Sequence, residues 1–492
     1  MNQSIMILVS ICFPILMGIG ILIGPEFRSR KALIMTVSFG LVVTSFLSLS
    51  VIFSGDMRLE LFSLGKNMNI YFQVDALGRL FTVVVNVVWL LAGIYAFEYM
   101  KHEKEEKRYF GFYMIVFGVL LALNYSGSVL TYYLFYEMMT LLSVPLILHS
   151  KTKEAIMGGL KYLFYSLFGA YMALFGIYFL NKYAVSLNFS AGGVLDFKAA
   201  AGNEGILLVA AFVMILGFGV KAGMFPLHGW LPTAHPVAPA PASAIMSAII
   251  VKMGVLGMIR VVYYMFGAEF LRGTWVQTTW LILALVTVFM GSMMAYREKL
   301  LKKRLAYSTV SQVSYILFGL ALLQPQAFTG AILHVVFHAV IKTTLFMCAG
   351  AIIYKTGKTM VGELKAIGKE MPITIWCYTF ASLALVGIPP ASGFISKWYL
   401  AIGSLATEMK VFAWLGPMIL LISALLTAGY LLPITIQGFL PGADYDYEKS
   451  QKKEPVKMMT VPLVVLAVLA VVLGVFPNPL TNYIFDIVRT VL

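Results

Sequence analysis

Charged side chains are scarce in this chain: they make up 12% of its 492 residues, about half the ~25% of a soluble domain. Beside 60% hydrophobic residues, that scarcity excludes a water-soluble globule. Cysteine is scarcer still. Cys12, Cys348 and Cys377 lie in separate apolar stretches with no CxxC pair, which excludes a cysteine-ligated iron–sulfur cluster within the chain and any disulfide framework. No GxxxxGKS/T loop occurs, and no GxGxxG follows a strand, so the chain carries no nucleotide chemistry of its own. The first apolar segment lacks a basic leader and a small-residue cleavage site, and reads as a retained span.

What the chain has is apolar length. Runs of about 18–25 residues recur throughout, each long enough to cross a bilayer as a helix. About fourteen such spans are expected, near 4–23, 31–53, 76–98, 108–123, 126–148, 157–180, 205–224, 243–266, 276–296, 305–323, 327–354, 372–400, 411–438 and 458–476. A last apolar piece, Leu480–Leu492, is too short to span. Backbone groups in lipid must be satisfied internally, and these runs do not alternate as barrel strands would. The expected fold class is an all-α polytopic membrane protein. The net charge of +14 could suggest nucleic acid, but its distribution argues against that partner. Arg28–Lys31, Lys101–Arg108, Lys151–Lys153, Arg297–Arg304, Lys355–Lys369 and Lys449–Lys457 all follow odd-numbered spans. The positive-inside rule puts these loops in the cytoplasm and both termini outside.

Two proline clusters interrupt long helical runs: Pro226–Pro232, followed by Pro236, Pro239 and Pro241, and Val386–Gly393 with Pro389 and Pro390. They fall in spans seven and twelve, with Lys221 and Lys397 close by. Paired interrupted helices point to the inverted repeats of a transporter.

A charge at bilayer depth costs roughly 2.5–3.5 kcal/mol on insertion scales, so intramembrane ionisable groups are usually functional. Glu137 is a carboxylate in the middle of Leu130–Ile147, and Lys221, Lys252, Lys342 and Lys397 share its condition. A Glu137–Lys221 pair would couple two protonation states; the plain alternative is an ion pair that holds two helices together. Lys252 stands mid-helix in Ile245–Ile259 with no acid in its span, placed either to carry protons or only to be hydrated. His334, His338 and Lys342 fall at i, i+4 and i+8 and so line one helix stripe. A titratable stripe fits them better than zinc, for which no third ligand is near. Ser308, Thr309, Ser311, Gln312 and Ser314 suit either water or each other across helices. His228 and His235 flank the first break, where surface histidines are ordinary. Asp444, Asp446 and Glu448 lack the glycine and closing glutamate of a calcium loop.

The segments FYEMMTLLSVPLI, GFGVKAGMFPLHGWLPTAHPVAPAPASAIMSAIIVKMG, KRLAYSTVSQVSY, HVVFHAVIKTTLF and GIPPASGFISKWYL, in this order over about residues 70–440, resemble the antiporter-like membrane subunits of respiratory complex I. The same family includes subunits of Mrp cation/proton antiporters and of energy-converting membrane-bound hydrogenases. The resemblance implies fourteen helices with two inverted five-helix repeats: helices 1–3 over 1–107, one repeat over 108–266, a second over 267–440, and a loop, helix 14 and tail over 441–492. It implies Glu137 as the helix-five glutamate paired with Lys221, Lys252 as the central lysine, Lys342 and the two histidines as relay groups, and Lys397 as the exit lysine. The chain stops soon after span fourteen, so it resembles a medial rather than a distal complex I subunit, or the corresponding Mrp or hydrogenase subunit. The stretch LHGWLPTAHPVAPAPAS reads closer to hydrogenase-type relatives than to quinone-linked complex I.

The expected function is therefore proton or Na⁺/H⁺ translocation by one subunit of a multisubunit complex in the plasma membrane. Its partners would be further antiporter-like and small transmembrane subunits, with any iron–sulfur or nickel–iron centre in a peripheral redox arm. An Mrp-type antiporter subunit is the alternative. A stand-alone solute transporter and a passive scaffold are the rivals from other classes.

Overall fold

A computed structural model of the chain describes residues 3–65, 68–442 and 451–492; Asp444, Asp446 and Glu448 lie outside the described residues. A helix lies over each of the stretches read as spans. The first six are α1 (Gln3–Ile23), α2 (Arg30–Phe53), α3 (Ala76–Tyr99), α4 (Glu106–Asn124), α5 (Val129–Ile147) and α6 (Lys153–Tyr183). Span seven is divided into α7 (Glu204–Ala222) and the short α8 (Leu231–Val237), and α9 (Ala240–Phe266) follows. Next come α10 (Trp275–Arg297), α11 (Leu301–Ala321) and α12 (Pro325–Thr356). Span twelve is α13 (Pro372–Val386) and α14 (Ser392–Leu405), before α15 (Lys410–Phe439), α16 (Lys457–Val475) and a final amphipathic α17 (Asn478–Val491). Among the described residues, eleven helices are long and apolar enough to cross a membrane by length and composition. The protein is a multi-pass membrane protein.

One element departs from an all-helical reading. Arg58–Ser63 (β1) and Asn69–Gln73 (β2) form an antiparallel hairpin, Arg58 opposite Gln73, with a bulge between Glu60 and Phe62. It lies in the polar connection between α2 and α3, where no lipid restricts the backbone.

Side-chain caps begin several helices: Ser29, Asp75, Ser128 and Thr152 each accept a first-turn backbone N–H. The basic loops are tied to one another at one end of the bundle. Arg30 grips Glu106 with two 2.9 Å contacts, Lys107 reaches Glu26 at 3.1 Å, and Lys151 reaches Glu105 at 2.5 Å. Leu301 donates its amide to Thr359, and Lys453 pairs with Glu370 at 3.1 Å. The other connections meet at the opposite end, through Phe72–Ser126, Ser128–Asn188 and Ser190–Tyr264. The chain thus alternates between ends as the charge pattern requires.

Both divided helices stop in the same way. Gly223 and Gly387 follow α7 and α13 at φ +77° and +92°, a left-handed conformation that glycine adopts without strain. Layering then sorts the charges. The apolar windows of α9 and α12 are 100% and 94% buried, whereas those of α1, α5, α6, α15 and α16 are mostly turned outward. Within α9, π-helical turns at Met246–Ile250 and Arg260–Phe266 flank the α-helical stretch that carries Lys252.

Arg260 was not among the residues singled out from the sequence. It is buried and clasps Asp75 at 2.5 and 2.8 Å, between the rings of Phe189 and Tyr264. Removing one partner of a buried pair strands the other charge. Asp75→Ala should therefore lower stability by about 3 kcal/mol, read as a fall in thermal midpoint in detergent. Asp75→Ala with Arg260→Met should recover most of it, apart from the lost α3 cap.

At the basic end, burial and the Arg108 guanidinium push the His149 imidazole down to about 4. Its Nε2 lies 2.8 Å from the Lys104 carbonyl while Nδ1 faces Arg108, an arrangement suited to the neutral ring. An unfolded chain binds this proton near pH 6.5, so the folded state loses stability as pH falls from about 6.5 toward 4. His149→Gln should flatten that slope in thermal midpoints recorded across this range.

Candidate functional site

The inner helices bring together groups that lie far apart in sequence. Lys252 on α9 is buried, and its Nζ donates to the Ser247 carbonyl at 2.6 Å and meets His338 Nδ1 on α12 at 2.5 Å. One helical turn away, the His334 ring stands 5.8 Å from that of His338. His334 Nδ1 is 2.9 Å from Ser396 Oγ on α14, and its ring stacks on Tyr315 of α11 at 5.6 Å. Lys397, next to Ser396, places Nζ 5.2 Å above the same Tyr315 ring. The row Lys252–His338–His334–Ser396–Lys397 thus runs across three helices. The Nε2 atoms of His334 and His338 are buried without a partner among the described residues.

Lys397 folds back across the second break. Its Nζ donates to the carbonyls of Leu385 and Val386 at 2.6 and 2.8 Å. These are the last carbonyls of α13, the negative end of that helix, which attracts a cation. Lys342 sits on the same stripe as the histidines and donates to the Leu305 carbonyl at 3.0 Å.

Glu137 and Lys221 make no direct ion pair among the described residues, although the carboxylate lies within electrostatic reach of the ammonium. Lys221 Nζ is caged by three hydroxyls, Thr140 at 2.8 Å, Tyr162 at 3.0 Å and Ser166 at 2.8 Å. Glu137 is only half-buried, one oxygen has no partner among the described residues, and it shares the outward face of α5 with Leu134, Met138 and Leu141. The reason is angular: Thr140 is one turn from Tyr136 and faces inward, whereas position 137 points about 60° off that face. Among the described residues, none of Lys221, Lys252, Lys342 and Lys397 has a carboxylate within ion-pair distance.

The polar run on α11 serves mainly to join helices. Ser308 meets Tyr430 at 2.7 Å, Thr309 meets Ser247 at 2.7 Å, and Ser311 meets Ser292 at 2.7 Å. No group of three or more histidine, cysteine or acidic side chains is placed to hold a metal among the described residues.

A second cluster gathers around His235, which the sequence suggests only as a surface histidine. His235 is fully buried rather than at the surface, stacked 4.7 Å from Phe346, and neither ring nitrogen has a partner among the described residues. Nearby, Lys302 donates its ammonium to the Pro236 carbonyl at 3.1 Å and also to that of Ala238. A cavity of about 200 Å³ opens at the basic end and is lined by Lys302, Glu103 and Tyr99. Burial pushes the Glu103 carboxyl up, opposed by Lys302. The sequence signal was available in Lys302, a charge at the very start of span ten, but nothing local shows that it turns inward.

Residues 126–427 match the family model for the membrane subunit of NADH:quinone oxidoreductase and Mrp antiporters, and residues 62–110 match the complex I chain 5 N-terminus. The chain belongs to this family. NADH-quinone oxidoreductase subunit N of Desulforudis audaxviator is 32% identical over 84% of this chain and 83% of its own length. A Na⁺/H⁺ antiporter protein of Alkalihalophilus pseudofirmus is 26% identical over 99% and 97%. Hydrogenase-4 component B of Escherichia coli is 29% identical over 84% of this chain and 64% of its own length. The matched region holds Glu137, Lys221, Lys252, His334, His338, Lys342 and Lys397.

Buried ammonium groups without a carboxylate are retained against their desolvation cost, not for it. Lys252→Met, which keeps the length and removes the charge, should leave the thermal midpoint unchanged or raised. A fall equivalent to several kcal/mol would make Lys252 a structural anchor instead.

Proposed function

We propose that the chain translocates protons as one membrane subunit of a larger complex, along the Lys252–His338–His334–Ser396–Lys397 row. The single observation that supports this most is the direct Lys252 Nζ–His338 Nδ1 contact inside a fully sheathed pair of helices. An ammonium and an imidazole at 2.5 Å share a proton readily, and the imidazole is the side chain suited to pass it on. The His338–His334 step spans a gap of the kind that a bridging water closes. Like charges in a low-dielectric interior repel, so a proton arriving at Lys342 or Lys252 drives the next one along. The Glu103–Lys302–His235 cluster is the intake from the basic end, and the Lys221 hydroxyl cage is a separate holding site. Glu137, on the outward face, serves the junction with a neighbouring subunit.

The fourteen crossings, the inverted repeats over 108–266 and 267–440, the cytoplasmic basic end, both termini outside and a plasma-membrane location belong to the same proposal. They are supported by the alternation of the loops and by the matching glycine-terminated breaks. Energy comes from elsewhere. A complex I-like or hydrogenase-like redox arm with iron–sulfur or nickel–iron centres, and an Mrp-type assembly driven by ion gradients, are equally supported. In the second, Na⁺ exchanges for H⁺.

Glu137→Ala and Lys252→Ala should each abolish coupled ion movement in proteoliposomes of the native complex while assembly persists. Full pumping by both variants would remove the relay. Subunit identification with iron and nickel assays on the purified complex separates the hosts. Iron with nickel means a hydrogenase-type machine, iron alone a complex I relative, and small membrane partners without metal an Mrp-type antiporter.

A further inference from the structure

At the end opposite the basic loops, α2, α3 and α17 enclose an open apolar trough of about 560 Å³. Its walls are Phe53, Leu80, Val83, Leu480 and Tyr483, with Phe53 82% exposed. Among the described residues, the single cation in the lining is Arg79, one turn into α3. Arg79 Nη2 reaches the Asp56 carboxylate at 2.5 Å. Its Nε is buried and has no partner among the described residues. The arginine side chain is mostly covered and the aspartate almost wholly exposed, at 24% and 89%. The roof is held down by Tyr483, whose hydroxyl donates to the Ala76 carbonyl at 2.9 Å.

We infer that this trough binds a zwitterionic aminophospholipid of the leaflet at that end. Apolar walls beside a cation at the end of a span match a lipid, with its acyl chain along Val83 and Phe53 and its head at Arg79. The order of charges selects the headgroup. A phosphate is the inner charge of a phosphatidylethanolamine head and meets the exposed part of the deeper Arg79 guanidinium in a charge-assisted bond. The ammonium is the outer charge and meets Asp56 at the solvent edge. A purely anionic head leaves the exposed Asp56 facing a like charge, and is disfavoured.

The test uses the protein purified with its partner subunits and placed in nanodiscs of equal phosphatidylethanolamine and phosphatidylglycerol, then released for native mass spectrometry. Wild type should retain phosphatidylethanolamine several-fold over phosphatidylglycerol. Arg79→Gln should lose that bound lipid. Asp56→Asn, on an exposed loop where folding is not at stake, should shift the retained lipid to phosphatidylglycerol. Equal retention of the two lipids by wild type, or unchanged preference in Asp56→Asn, would overturn the inference. So would a photo-crosslinker at Phe53 that captures a protein subunit rather than lipid, because the trough would then be a subunit interface. Ion translocation plays no part in these readouts, so failure of the relay leaves them unaffected.

Discussion

Everything in the interior depends on one constraint: ammonium groups are held away from bulk water and without a carboxylate in direct contact. Lys221, Lys252, Lys342 and Lys397 have instead been given neutral acceptors, and each has a different set. Lys221 has three hydroxyls, Lys252 a carbonyl and an imidazole, Lys342 a carbonyl, and Lys397 two carbonyls at a helix end. Neutral acceptors stabilise an ammonium less than an anion does, and they leave it free to give up its proton. A bundle built only for stability would use apolar residues at these positions.

The interrupted helices and the π turns follow from the same need. A regular helix engages its interior carbonyls in its own ladder, so acceptors come most readily where the ladder ends or is disturbed. Lys342 alone among the four takes a second bond from a carbonyl inside a regular helix, Leu305 of α11. The break after α13 exposes the carbonyls that Lys397 takes. The last turn of α8 and the extended residue after it offer the Pro236 and Ala238 carbonyls to Lys302, and the π turn at Met246–Ile250 contains the Ser247 carbonyl taken by Lys252. Around them the outer helices face outward with apolar side chains. The polar row is insulated, and its charges act on one another rather than on solvent.

Much of this was legible in the chain. Hydropathy located every helix read as a span, because a span is a local property of about 20 residues. Proline clusters located both breaks for the same reason, and the one-helix spacing of His334, His338 and Lys342 gave their common stripe. The five motif segments carried the family. Arg260 and Lys302 were passed over, and His235 was read as a surface histidine, because each lies at or beside a span end, where a charge costs little if it faces water; only packing shows that these face inward.

Two pairings mark the limit. Glu137 and Lys221 suggested an ion pair by opposite charge, yet the rotation of α5 turns one outward and gives the other a hydroxyl cage. Lys252 suggested an isolated lysine, yet it touches His338, 86 positions away. The sequence by itself determined the solvent, the helices, the breaks and the roster of buried ionisable groups, since composition and spacing act within a helix or a turn. The tertiary structure decided which of them meet. Contact depends on the angle at which each helix presents its face, and a single π turn rotates everything beyond it by about 100°.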